Sequence, residues 1–197
     1  MMKRYSKQLI NNPIFVFSFI IVIISAISCK RHSEEENTPK KLVNQLTGKL
    51  FHLPHYSKVL LGDSIIFEVP NIRNPNAKLK ITTYINGDCQ TCIDEIKAWN
   101  DFSQSVNKIN NVNVYYYVFT SDIEHFRDNI YNKEIYKYPL LLVKNNDYLN
   151  KNNLPLDNKM YQTFLLDSNN KVILVGNPIY SEKLMELYKE EINERLD

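Results

Sequence analysis

Cys89-Gln90-Thr91-Cys92 stands where one periodic pattern stops and another starts. Before it, Leu79-Lys80-Ile81-Thr82-Thr83-Tyr84-Ile85 is apolar, aromatic and β-branched, which reads as a buried strand. Asn86-Gly87-Asp88 breaks that run. After it, Ile93, Ile96, Trp99, Phe102 and Val106 recur at three- and four-residue steps, one face of a helix. Two thiols at a strand-to-helix corner can close a small disulfide ring, and a helix N-terminus beside them favours a thiolate. The chemistry this corner points to is thiol–disulfide exchange.

The first 28 residues read as a targeting segment rather than as part of the fold. Lys3, Arg4 and Lys7 give a basic start, Ile14 to Ile24 is apolar except for Ser18, and Ser25-Ala26-Ile27-Ser28 leads into Cys29. A small residue before a cysteine after a short apolar run resembles a bacterial lipoprotein signal, which implies a lipid on Cys29. That signal usually has Leu where Ala26 stands and a small residue where Ile27 stands. Ala26-Ile27-Ser28 also fits ordinary signal-peptidase cleavage. The remaining alternative is an uncleaved anchor, although the apolar run falls short of the roughly 20 residues of a spanning helix.

Once Cys29 is set aside, Cys89 and Cys92 are the only thiols among the chain's three cysteines. An exported chain with a single CxxC is not a disulfide scaffold of the small secreted kind. The formal charge of +2 becomes −1 without the three positive charges of the signal, so no basic field argues for nucleic acid. Residues 29–42 read as a polar tether, with Glu34, Glu35 and Glu36 offsetting Lys30, Arg31, Lys40 and Lys41. Residues 43–197 are long enough for one domain with its own core.

Within that domain, the patterning predicts an N-terminal β-hairpin from Lys49–Leu53 and Ser64–Val69 around Gly62-Asp63. Next come the strand Leu79–Ile85 and a helix from Cys89 to about Ile109. A strand over Val112–Thr120 leads to a helix capped by Ser121-Asp122 and running to about Asn132. Then follow a short strand Tyr138–Val143, a helix or loop over 145–153, the strand pair Tyr161–Leu166 and Lys171–Val175, and a helix capped by Ser181. Strands that alternate with helices should be parallel, giving an α/β protein with a central mixed sheet.

This order resembles the thioredoxin fold, in the larger form used by exported thioredoxin-like and peroxiredoxin-like proteins. The likeness is carried by Ile81-Thr82-Thr83-Tyr84-Ile85 before the CxxC, by Thr163-Phe164-Leu165-Leu166-Asp167 and by Asn170-Lys171-Val172-Ile173. More narrowly, Tyr161 to Pro178 looks like a stretch that recurs in lipid-anchored, thioredoxin-like (redoxin or TlpA-like) bacterial lipoproteins. The resemblance implies that Cys89 is the exposed attacking thiol and Cys92 the resolving one. It implies thiol or disulfide substrates, protein or small molecule; such a cycle needs a membrane reductase upstream, and the sequence offers no cofactor or metal site. It also places the chain in the cell envelope, facing the periplasm or the exterior.

The family pattern is not complete here. Its cis-proline position falls on Tyr161 or Gln162, no Trp precedes Cys89, and Asp88 puts a negative charge beside the nucleophile. A like charge should raise the Cys89 pKa, and Gln90 and Thr91 add nothing positive, so a modest reductant or slow exchanger is expected. Three bland readings compete for the pair: a structural disulfide, half a zinc site lacking its second CxxC, and chance spacing. A non-catalytic binding protein that keeps Cys89–Cys92 as a clamp is the rival function. Peroxide reduction would want a Thr and an Arg around the thiol, and no such motif surrounds Cys89. His52, His55 and His125 read as surface histidines, and Trp99 with Tyr115-Tyr116-Tyr117 as packing.

Overall fold

The computed structural model describes residues 40–61, 64–67, 74, 76–107, 111–131 and 138–196. The predicted signal and Cys29 lie outside the described residues. The chain divides into two compact units, Met1–Gln45 and Leu46–Asp197, and the described part of the first, residues 40–45, is helical. No helix among the described residues is long and apolar enough to cross a membrane.

Among its described residues, the second unit carries seven strands and four α-helices. In chain order they are β1 (Tyr56–Leu61), β2 (Ser64–Ile66), β3 (Leu79–Asn86), α1 (Gln90–Asn107), β4 (Val112–Phe119) and α2 (Ile123–Tyr131). They continue with β5 (Leu140–Val143), α3 (Asp147–Asn152), β6 (Thr163–Asp167), β7 (Val172–Val175) and α4 (Glu182–Leu196). One sheet holds all the strands in the order β2-β1-β5-β4-β3-β6-β7. Strands β3, β4 and β5 are parallel neighbours, with Ile81 opposite Val114 and Tyr117 opposite Leu141. Strands β6 and β7 form the antiparallel pair expected around the Asp167-to-Asn170 turn, where Asn170 takes a positive φ of 64°.

The N-terminal hairpin is present, but its first strand lies further along the chain than the pattern predicts. Tyr56–Leu61 pairs with Ser64–Ile66 on one side and with β5 on the other. Residues 49–53 make only the bridge Leu50–Lys171 beside β7. The reason is topological. The Gly48 and Phe51 amides donate to Val172 and Asn170 at one edge of the sheet, and the chain then crosses to the opposite edge. Pro54, with no N–H to donate, stands at the crossing.

The helix face read from the sequence is the buried one. Ile93, Ile96, Trp99, Phe102 and Val106 pack with Ile81, Val118 and Leu165 of the sheet and with Tyr188 and Ile192 of α4. Trp99 meets Phe102 and Tyr116 edge to face at centroid distances of 5.6 and 5.9 Å. Tyr115, Tyr116 and Tyr117 are buried, as expected of packing residues. Helix α2 begins on Asp122, whose Oδ1 accepts the His125 amide at 3.0 Å. Strand β6 starts two residues later than predicted, because Lys159–Tyr161 forms a 3-10 turn first.

Candidate functional site

Strand β3 ends at Asn86, and three residues turn the chain into α1. The turn is built from its own polar atoms. The Cys89 amide donates to the Asn86 carbonyl at 3.2 Å, and the Asp88 amide donates to Asn86 Oδ1 at 3.0 Å. Gly87 has no room for a side chain: an added Cβ would lie 2.8 Å from the Phe126 ring and 3.0 Å from Thr120 Cβ. The CxxC corner is thereby pressed against the start of α2.

Cys89 precedes the first residue of α1 and is partly exposed, while Cys92 lies inside at 4% exposure. Both are free thiols. Cys89 Sγ lies 3.1 Å from Thr91 Oγ1 and 3.8 Å from Lys159 Nζ. Burial works against a Cys89 thiolate. Hydrogen bonds from the Cys92 thiol, the Thr91 hydroxyl and the Cys92 amide outweigh it, together with the Lys159 charge, and bring the pKa from 9.0 to about 7. Burial, joined by the hydrogen bond to Cys89, pushes the Cys92 thiol up to about 11 against the pull of Lys159. The two sulfurs are chemically unlike, one poised to ionise near neutrality and one held protonated.

The charge expected of Asp88 does not act as its position in the sequence implies. Its carboxylate turns to the β4–α2 loop. Oδ1 accepts from Thr120 Oγ1 at 2.8 Å and from the Ser121 amide at 2.9 Å, and Oδ2 accepts from that amide at 3.1 Å. Burial favours its neutral form, but these donors hold the Asp88 carboxyl below the usual range. Asp88 is a loop lock, and the raised Cys89 pKa predicted from it is corrected to a lowered one. Gln90 is a surface residue bonded to Asp94, whereas Thr91 contacts the Cys89 sulfur directly.

The positive charge that sequence reading did not find comes from Lys159, 70 residues beyond Cys89. Its Nζ also reaches Thr91 Oγ1 and Glu95 Oε1, each at 3.4 Å. Burial lowers the Lys159 pKa, but Cys92, Glu95 and Cys89 around it raise it further. Lys159 opens the 3-10 turn at the position facing the CxxC. A short polar segment ending in Lys-Met-Tyr carries no motif, so only the fold brings it to the sulfurs.

Tyr161 and Gln162, the residues at the predicted cis-proline position, are in trans linkage. The amides of Met160, Tyr161 and Gln162 donate to Asn158 Oδ1, the Asn158 carbonyl and the Lys159 carbonyl. The buried Gln162 side chain donates to the carbonyls of Pro155 and Leu156 at 2.8 and 3.1 Å. A cleft of about 230 Å³ opens between this loop and α1, with Cys89, Cys92, Glu95, Lys159, Gln162 and Tyr180 in its wall. His52, His55 and His125 are exposed and lie outside that wall. No group of three metal-ligating side chains occurs among the described residues.

No protein-family model matches the sequence, and no curated protein matches it. The fold, however, has solved counterparts. A thiol:disulfide interchange protein from Bacteroides sp. superposes with a TM-score of 0.52 at 13% identity, over 75% of this chain and 90% of that one. The mitochondrial 2-Cys peroxiredoxin of Plasmodium falciparum gives 0.50 at 16%, over 75% and 94%. The thioredoxin domain of a thiol-disulfide oxidoreductase from Bacteroides vulgatus gives 0.49 at 11%, over 72% and 99%. With its sheet order and a CxxC at the β3–α1 corner, the chain has the thioredoxin fold. Counterparts with exchange and peroxidase names share this fold, so the fold alone does not select the chemistry.

Proposed function

We propose that the chain is a thiol–disulfide oxidoreductase of the cell envelope, anchored by lipid on Cys29 and working outside the cytoplasm. The observation that carries the reading is the unlike setting of the two sulfurs. Cys89 is accessible with its pKa at about 7, and Cys92 is buried beside it with its pKa at about 11. This is the division of labour that exchange requires. The Cys89 thiolate attacks one sulfur of a substrate disulfide. That S–S bond breaks, and the departing sulfur leaves as a thiolate that takes a proton from water. Cys92 then gives its proton to solvent and attacks Cys89 Sγ, and the second substrate sulfur leaves. The substrate gains two electrons and the Cys89–Cys92 pair loses two. A membrane reductase carrying a dithiol would restore it. The signal pattern ahead of Cys29 and the likeness in fold to the Bacteroides thiol:disulfide interchange protein support the same reading.

The test is trapping. Cys92→Ser in the full chain should accumulate mixed disulfides through Cys89 that reductant releases, because the resolving step is lost. A Cys92→Ser protein that forms no mixed disulfide with any thiol-bearing partner or model disulfide contradicts the proposal. One observation favours the second reading, a binding protein with a structural clamp. The loop opposite the CxxC bonds its amides at 160, 161 and 162 to itself, so it offers a substrate backbone little to dock on. Under that reading Cys92→Ser costs stability and traps nothing.

A further inference from the structure

Lys159 comes from a different part of the chain than the CxxC and yet converges on it. Its ammonium lies 3.8 Å from Cys89 Sγ and 3.4 Å from both Thr91 Oγ1 and Glu95 Oε1, and its charge also acts on the buried Cys92 thiol. If the ion pair with Glu95 were its purpose, little would be gained. The two side chains are 40% and 26% exposed, and pairs in such settings contribute about 0–1 kcal/mol. The contact with Thr91 has a direction. A hydroxyl that accepts from an ammonium has its own proton free to donate, and the next atom along is Cys89 Sγ at 3.1 Å. Charge therefore reaches the sulfur by two routes, directly and through Thr91. The 3-10 turn fixes the origin of the side chain, with Asn158 Oδ1 holding the Met160 amide at 3.2 Å.

We propose that Lys159 is a catalytic residue of this site, its ammonium holding negative charge on Cys89 Sγ directly and through the Thr91 hydroxyl. The inference rests on the exchange reading above. It assigns Lys159 two moments in the cycle. Before attack, the ammonium favours the Cys89 thiolate. When Cys92 attacks the mixed disulfide, the negative charge passes to the substrate sulfur bonded to Cys89, within the same electrostatic reach. No proton leaves Lys159 at either step. The carboxylate of Glu95 keeps the ammonium at the cleft when Cys89 is neutral in a disulfide.

The experiment is a pH profile of Cys89 alkylation by iodoacetamide, read by mass spectrometry on the reduced full-length chain. The wild-type midpoint is expected near 7. In Lys159→Met it should rise by about one unit, a roughly tenfold loss of rate at pH 6. Lys159→Arg should keep the midpoint close to wild type, because charge rather than shape is at work. Thr91→Val, which removes the hydroxyl donor and leaves the ammonium in place, should give a rise in the same direction at least as large. A Lys159→Met profile that superimposes on wild type overturns the inference, as does a Lys159→Arg shift as large as that of Lys159→Met. Circular dichroism checks that each variant is folded, and Lys159→Gln carries the test if Lys159→Met is not. The exchange reading fails by a different route, the absence of trapped partners in Cys92→Ser, which does not depend on Lys159.

Discussion

A sulfur that ionises near neutrality beside one that does not leaves a signature in pH. Half-maximal alkylation of Cys89 is expected at about pH 7, and Cys92 should stay unreactive until about pH 11. The same shifts act on stability. Between pH 7 and 9 the unfolded chain keeps the Cys89 proton that the folded chain has lost, so the reduced protein gains stability as pH rises. Between 9 and 11 the folded chain keeps the Cys92 proton that the unfolded chain loses, and stability falls. Thermal melts of the reduced chain against a Cys89→Ser, Cys92→Ser double variant should differ in that pattern. A difference that is flat with pH would contradict it. The thiol pair was legible in the sequence because a CxxC between two periodic patterns is a local signal. Lys159 was not, since proximity made by tertiary structure leaves no mark on spacing. Asp88 misleads for a related reason: a charge next to a nucleophile in sequence repels it only if its side chain faces the sulfur, and this one faces the β4–α2 loop.

The corner that carries the thiols depends on how β3, α1 and α2 meet. Gly87 is the tight point, because a methyl group there would press on the ring of Phe126, which is buried in the core. Gly87→Ala should therefore destabilise the chain by about 1–3 kcal/mol, visible as a lowered Tm. Unchanged stability would show that the corner has slack. Asp88→Ala removes the acceptor for Thr120 and Ser121 at an exposed site, and about 1 kcal/mol is the expected cost. Its effect on the Cys89 alkylation midpoint should be small, since the carboxylate spends its charge on the β4–α2 loop. A large downward shift in Asp88→Ala would restore the repulsion that the sequence implied. At this scale the helices and the central strands were readable, being long and strongly periodic. The hairpin was readable as an element but not in position. Phe51 is apolar and buried, which mimics a strand residue, yet its segment makes one bridge on its way across the sheet.

The molecule as a whole gives its own optical probe. Trp99 is the single tryptophan, is 1% exposed, and lies in the wall of the cleft with Cys92. Disulfides quench nearby indoles, so emission should be blue-shifted in both states and dimmer in the oxidised one. Equal intensity in both states would contradict this arrangement of the corner. The fold class is legible in the alternation of strands and helices, which matches the parallel pairing of β3, β4 and β5. The edge to which the hairpin attaches could not follow, because pairing of β1 with β5 joins residues some 80 positions apart with no local signal. The proposed function requires Cys89 and Cys92 to cycle between dithiol and disulfide. A glutathione titration of the full-length chain tests it, read by alkylation and mass spectrometry of the peptide that holds both cysteines. A reversible transition between about −270 and −120 mV, the span of known exchange proteins, is expected. A pair that remains oxidised below about −300 mV would contradict it and mark the disulfide as a clamp.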